Sequence, residues 1–223
     1  MTKIIGHRGA AGLELENTRA SLLAAMNYGV DMIEFDARLT ADDKLVVIHD
    51  PVTSNVSATK VVVHEKTLDE LKSFALHNGE ELLSLDEALD IIGDLPVIID
   101  IKENGSADEL LLAMERHPEA DISIASRKLE ELRKIRRIMP ELPVYALTYF
   151  SPIEVLHFAR SIHATGVGLN KWLMNPIAYL MARRYNLEIY VYTVNNRFIA
   201  RFMKMFYPKI HICTNRPERF FKK

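Results

Sequence analysis

Glu34 and Asp36 stand two residues apart in a short apolar run, and Asp100 and Lys102 repeat the spacing in another. On a strand, that spacing turns both side chains of a pair to one face. If the runs are strands of a closed sheet, this face is the interior, where unpaired charge is costly. Three inward carboxylates repel one another unless a cation lies between them. An all-oxygen trio suits a hard ion, Mg2+ or Ca2+, with Mn2+ also acceptable. The competing use of the same acids is ion pairing with Arg8, Arg38 and Lys102. His7 and His49 lie at other strand ends, and imidazole exchanges protons near neutral pH. Arg8 offers a fork of donors and Lys102 a point charge for a phosphate-like anion. His64, His77, His117, His157 and His163 show no such convergence and read as surface or packing residues. His211, in the last apolar run, fits either the core or a rim.

The elements that must position these residues alternate along the chain. Short β-branched runs at residues 3–6, 32–36, 97–102, 122–125, 144–147, 166–169, 189–193 and 210–213 are separated by helical patterns. Eight such units in 223 residues fit a TIM-type (β/α)8 barrel better than an open doubly wound sheet, and no glycine-rich nucleotide loop supports the latter. In a barrel the candidate residues collect at the strand ends. Residues 18–28 form a helix stopped by Gly29. Ser84–Glu87, Ser106–Glu109 and Ser151–Glu154 have capping-box spacing, and Pro152 and Pro176 suit first helical positions. Leu129, Leu132 and Ile135 mark an amphipathic helix, as do Phe198, Phe202 and Met205.

One apolar run, residues 45–49, breaks the alternation, because five residues cannot make a parallel crossover. Residues 37–49 therefore read as a hairpin turning near Asp42-Asp43, with Asp36 opposite His49. That brings His49 back to the rim of Glu34 and Asp36. Residues 51–83 are then an insertion, with a short helix opened by Thr67–Asp69 that packs Leu68, Leu71 and Phe74, placed where it could cover the mouth of a site.

Composition is that of a globular chain, 48% apolar and 26% charged, long enough for one domain over residues 1–223. Net charge is -2 with no contiguous basic block, so nucleic acid is not an expected partner. A single cysteine, Cys213, excludes an intramolecular disulfide and a cysteine metal cluster. No signal peptide or transmembrane run is evident, which makes the cytoplasm the expected location.

These residues resemble the signatures of the glycerophosphodiester phosphodiesterase family, over essentially the whole chain. GHRGAAGLELENT from Gly6 is similar to its HRG and ENT signature. IEFDARLTADDKLVVIHD from Ile33 is similar to its E-x-D, turn, V-x-H-D pattern. Asp100-Ile101-Lys102, YVYTVNN from Tyr190 and ICTNRPE from Ile212 resemble its later segments. The resemblance implies a metal-dependent barrel enzyme that hydrolyses a small-molecule phosphodiester to glycerol phosphate and an alcohol. It implies His7 and His49 as general acid and base and Glu34 and Asp36 as metal ligands. Asp100 would be the third ligand, Arg8 and Lys102 would bind phosphate, and Glu16 would support them; Asn17 reads equally as a helix cap. Three positions depart from the pattern: Asp100 and Asn215 stand where glutamate and aspartate are usual, and Leu15 replaces a proline. A lysophospholipase D-like reaction, a non-catalytic phospho-ligand-binding barrel and a metal-dependent sugar isomerase are the competing readings.

Overall fold

The computed structural model describes residues 2–221. β1 (Ile4–His7) leads through α1 (Arg19–Asn27) to β2 (Met32–Leu39) and its hairpin partner β3 (Leu45–Val47). After the insertion, with its short α2 (Leu68–Lys72), the chain repeats one motif. The sequence runs α3 (Leu85–Ile92), β4 (Val97–Ile101), α4 (Ala107–Arg116), β5 (Ile122–Ser126), α5 (Leu129–Ile138) and β6 (Val144–Leu147). It continues through α6 (Pro152–Ser161), β7 (Gly166–Asn170), α7 (Pro176–Arg184), β8 (Glu188–Tyr192), α8 (Arg197–Phe206) and β9 (His211–Thr214). Eight strands pair in parallel, and β1 closes the ring by pairing with both β2 and β9. The expected (β/α)8 barrel is the fold.

Strand alternation divides the core in two. Along β2, Ile33, Phe35 and Ala37 point outward into the layer under the helices, while Met32, Glu34 and Asp36 point inward. The interior is plugged by Ile5, Met32, Ile98, Tyr145, Tyr190 and Cys213, so it is a packed core and not a pore. Gly168 makes room for that plug: a Cβ there would lie 2.4 Å from the Tyr190 ring and from the Leu147 side chain. The charged residues continue the inward series at the C-terminal end of the strands.

The hairpin forms with a register one residue away from the expected one. Ala37 pairs with Val47 and Leu39 with Leu45, and the Ile48 N–H donates to the Asp36 carbonyl, so Asp36 faces Ile48 instead of His49. The cause is a three-residue loop, 41–43, closed by Thr40 N–H to Lys44 carbonyl at 2.9 Å, with Asp43 in the left-handed region at φ 57. His49 still returns to the rim.

No residue of the insertion lines the main cavity, though Asn55 borders the depression beside it. Val56, Val63, Leu71, Leu76 and Leu82 bury themselves with Val46 and Ile48 in a small core of their own against the hairpin. The Ser84 and Thr67 capping boxes form, and Ser151 and Asn175 cap helices that begin with proline. Ser106 makes no cap bond: its backbone is already helical and its hydroxyl donates to the Glu103 carbonyl, while Glu109 bonds Arg116 instead. In α8 the residues facing the core are Ala200 and Met203. Phe198, Phe202 and Met205 are exposed, contrary to an amphipathic helix that packs its large apolar face.

Candidate active site

The site begins with the turn after β1. Arg8 (φ 52) and Gly9 (φ 77) both lie in the left-handed region, which a non-glycine residue enters at a cost. The turn is held from three sides. The Arg8 N–H donates to Glu34 Oε2 at 3.0 Å, the Gly9 N–H to the Glu34 carbonyl at 3.2 Å, and the Arg8 carbonyl accepts from the Asn17 N–H and the Ser21 hydroxyl. His7 ends up at the rim with its Nδ1 2.6 Å from Asn215 Oδ1, which the amide oxygen can accept as a hydrogen bond, leaving Nε2 toward the cavity. Tyr192 lies parallel to its ring at 6.5 Å.

Glu34, Asp36 and Asp100 come together as their strand positions require, since Asp36 and Asp100 are register neighbours on β2 and β4. One carboxylate oxygen from each lies within 4.8 Å of the others, and all three residues are buried. Cations surround them. Lys102 Nζ is 2.5 Å from Asp36 Oδ1 and also bonds Asp100 Oδ2; Arg8 Nε is 3.2 Å from Asp36 Oδ2. Arg8 Nη1 also grips both oxygens of Glu16, at 2.7 and 2.8 Å. Arg38, expected among the possible partners of the trio, instead pairs with Glu103 and donates to the His49 carbonyl at 2.7 Å.

The balance of charge is uneven within the trio. Burial, with Asp36 and Asp100 beside it, pushes the Glu34 carboxyl up to about 8. Asp36 is held below the usual carboxylate range: burial opposes ionisation, but Lys102 and Arg8 outweigh it, and the Asn17 amide bonds it at 2.9 Å. Asp100 is raised by burial, against the pull of Lys102. The Asp100 Oδ1 atom is buried without a hydrogen-bond partner. An orphaned acceptor beside a carboxylate that resists ionising is what a missing positive charge leaves behind, so these residues fit a divalent cation. His7, Glu34 and Cys213 also lie close enough to share an ion. Burial raises that thiol far above its ordinary value, which leaves it a protonated and soft donor, poorly matched to a hard ion.

A cavity of about 280 Å³ unites His7, Arg8, Glu34, Asp36, His49, Asp100 and Lys102. Glu16 stands just outside it, on a neighbouring depression shared with Arg8, His49 and Asp50. Burial first, then the Arg8 charge, lowers His7 to about 4, so its ring is neutral at physiological pH. His49 Nδ1 is 2.7 Å from Asp50 Oδ1, which orients the second imidazole. His211 belongs to the opposite end of the barrel, where its Nδ1 accepts from the Lys3 N–H at 3.0 Å.

Sequence reasoning missed Arg127 and Asp50 here, and named Asn17 and Asn215 without the contacts that follow. Arg127 lines the cavity, lies 3.9 Å from Asp100 and stacks on Tyr149 at 4.0 Å. Its signal was available: it stands two residues beyond inward-facing Ala125, where Lys102 stands relative to Asp100. Asn17 orients Asp36 and is not a cap, since Thr18 caps α1. Asp50 and Asn215 hold the two histidines. A second cavity of about 420 Å³ adjoins the first through Asp100, Lys102 and Arg127 and is walled by Tyr149 and Phe150.

The model of the Glycerophosphoryl diester phosphodiesterase family matches residues 7–219. A glycerophosphodiester phosphodiesterase of Caldanaerobacter subterraneus subsp. tengcongensis is 28% identical over 213 residues, spanning 88% of this chain and 87% of the relative. A glycerophosphodiester phosphodiesterase structure from Parabacteroides distasonis superposes with a TM-score of 0.83 at 26% identity, covering 97% of this chain and 94% of that one. A phosphodiesterase of Oleispira antarctica, solved with its product sn-glycerol-3-phosphate, has the same fold, with a TM-score of 0.90 at 18% identity over 97% and 94% of the two chains.

Proposed function

The chain belongs to the glycerophosphoryl diester phosphodiesterase family, and on that footing we propose that it hydrolyses glycerophosphodiesters to glycerol phosphate and an alcohol with one divalent cation. The observation that carries the reading is the convergence of two histidines, two cationic side chains and three carboxylates on one cavity. Glu34, Asp36 and Asp100 would hold the ion, for which Mg2+ and Ca2+ are best suited and Mn2+ is acceptable. Bound there, the ion supplies positive charge against the negative charge that develops on the phosphoryl oxygens. Arg8 and Lys102 add donors for the same oxygens, and Glu16 keeps the Arg8 fork in place.

His7 is neutral at physiological pH and points Nε2 into the cavity, so it is assigned the general base. It takes the proton of the glycerol hydroxyl next to the phosphate. That oxygen attacks phosphorus, and the bond to the leaving alcohol breaks. His49 donates a proton to the departing alkoxide, giving the free alcohol and a cyclic phosphate. His49 then takes a proton from water, whose oxygen attacks phosphorus; His7 returns its proton to the ring oxygen, and glycerol phosphate results. The first attack gains from being intramolecular. Lysophospholipids are a second substrate reading, favoured by the aromatic wall of Tyr149 and exposed Phe150 on the adjoining cavity, where the alcohol or its acyl chain would lie.

The test is turnover of a panel of glycerophosphodiesters and lysolipids, with and without chelator and added Mg2+, Ca2+ or Mn2+. Chelation is expected to stop turnover, and His7→Ala and His49→Ala each to lower kcat by roughly 10²- to 10⁴-fold. Turnover that survives chelation and both substitutions overturns the mechanism. Tight phosphodiester binding without turnover of any substrate would instead favour a binding barrel.

A further inference from the structure

The outer wall of the barrel is not uniform. Of the fifteen large apolar side chains exposed among the described residues, eleven lie within residues 149–206. α8 is the extreme case. Ala200 and Met203 face the core, and Phe198 (69% exposed), Ile199, Phe202 (58%), Met205 (68%) and Phe206 form a stripe on the opposite side. A barrel helix ordinarily presents polar residues there. A stripe of this kind on a surface marks a contact with something apolar.

Charge follows the same division. Residues 151–223 carry twelve Lys and Arg against three Asp and Glu, whereas residues 1–150 carry sixteen against twenty-seven. The near-neutral total therefore conceals a basic side and an acidic side. On α8, Arg197, Arg201 and Lys204 run beside the apolar stripe, and none of them forms an ion pair among the described residues. Arg197 and Arg201 also line a groove of about 770 Å³ with Phe198, Arg219 and Phe220. Glu218, the one carboxylate lining that groove among the described residues, is 3.6 Å from both Arg216 and Arg219. Among the described residues no helix is long and apolar enough to cross a membrane. An apolar face flanked by unpaired cations is instead suited to lie in a bilayer interface, with rings among the acyl chains and arginines among the phosphates.

We propose that α8 and the adjoining groove dock the protein on the surface of an anionic phospholipid bilayer. A second copy of the chain is a poorer occupant. A twofold interface through one patch brings that patch onto itself, and here it would bring the same basic side chains toward their own copies. Tyr149, Phe150 and Trp172, on the loops after β6 and β7, extend the exposed apolar surface to the rim that bears the active site. Docking by this wall would hold the catalytic mouth beside the lipid surface.

The test is co-sedimentation of the intact protein with vesicles of phosphatidylcholine alone and of phosphatidylcholine mixed with phosphatidylglycerol. Binding is expected only to the mixed vesicles, and is expected to weaken as salt is raised. Arg197→Glu and Arg201→Glu should each lower affinity by at least roughly fivefold, and Phe198→Ser with Phe202→Ser should abolish it. All three variants should keep wild-type turnover of a soluble glycerophosphodiester, which also controls for folding. Failure to bind mixed vesicles, or binding that these variants leave unchanged, overturns the proposal. So does a lipid-free dimer in sedimentation velocity that Phe202→Ser dissociates. Because binding is read without turnover, its failure leaves the hydrolase reading standing, and a loss of the hydrolase reading leaves docking intact.

Discussion

At the scale of single residues, Glu34 is the most telling. It is buried, shares its neighbourhood with two other acids, and is held up to about 8 while Asp36 beside it stays ionised. The difference comes from partners: Lys102 and Arg8 contact Asp36 directly, whereas the Glu34 carboxylate takes a backbone N–H and has only the neutral His7 Nε2 beside it, at 3.9 Å. A proton on Glu34 competes with a cation for the same oxygens. Cation affinity is therefore expected to rise, with release of a proton, as pH rises through about 8. Calorimetric titration with Mg2+ or Ca2+ below and above that value measures it, and an affinity independent of pH would count against Glu34 as a ligand. The same raised value means that the folded state holds this proton more tightly than the unfolded chain. Without cation, stability should fall as pH climbs from 4.5 toward 8. The Asn215 departure has a comparable local reading. The amide oxygen still directs the His7 ring, but it brings no negative charge to favour the imidazolium, in keeping with a ring lowered to about 4.

At the scale of elements, the hairpin of β2 and β3 carries the second histidine into a site that the barrel strands alone would leave with one. Its length, and hence where His49 stops, is set by the loop at 41–43 and the left-handed Asp43. Aspartate tolerates that conformation better than most residues; glycine enters it freely and a β-branched residue does so at a penalty. Asp43→Gly should leave stability nearly unchanged, and Asp43→Val should cost about 1–2 kcal/mol, read from urea midpoints. Because the strained loop sets the placement of His49, Asp43→Val should also lower kcat, whereas equal midpoints for the two variants would remove the loop as the determinant of register. The insertion serves the same end from outside. It closes a small core over Val46 and Ile48, and its Leu68 N–H bonds Asp42 at 3.0 Å, bracing the hairpin from behind.

At the scale of the whole molecule, the two ends of the barrel divide the work. The C-terminal rim gathers charge that is costly to bury, and the N-terminal rim gathers polar groups that satisfy one another. There Tyr145 donates to Glu188 at 2.7 Å, with His211 Nε2 3.6 Å from the same carboxylate. Glu188 is lowered to about 2, first by its close contact with His211 and then by its hydrogen bond from Tyr145, with burial opposing. Its contribution to stability is thus present above the unfolded value of 4.5 and is lost as pH falls toward 2. Glu188→Gln should lower the melting temperature above that window, the difference from wild type should shrink through it, and turnover should be unaffected. A gap that persists at the acid end, or a loss of kcat, would contradict this division.

Much of the molecule is settled by local pattern. Eight apolar runs separated by helical periods imply the barrel, and two-residue spacing turns Glu34 with Asp36, and Asp100 with Lys102, to one face. These follow from the chain's own geometry and hold before any tertiary contact forms. What only the tertiary structure decided depends on residues far apart in sequence. Arg127 joins the site because β5 lies beside β4, Asn17 reaches Asp36 across a turn, and Asn215 meets His7 because the last strand closes against the first. The outward aromatic face of α8 belongs to the same class. Periodicity marks an apolar stripe on a helix, but only packing determines which stripe faces the barrel, and here the narrower one of Ala200 and Met203 does.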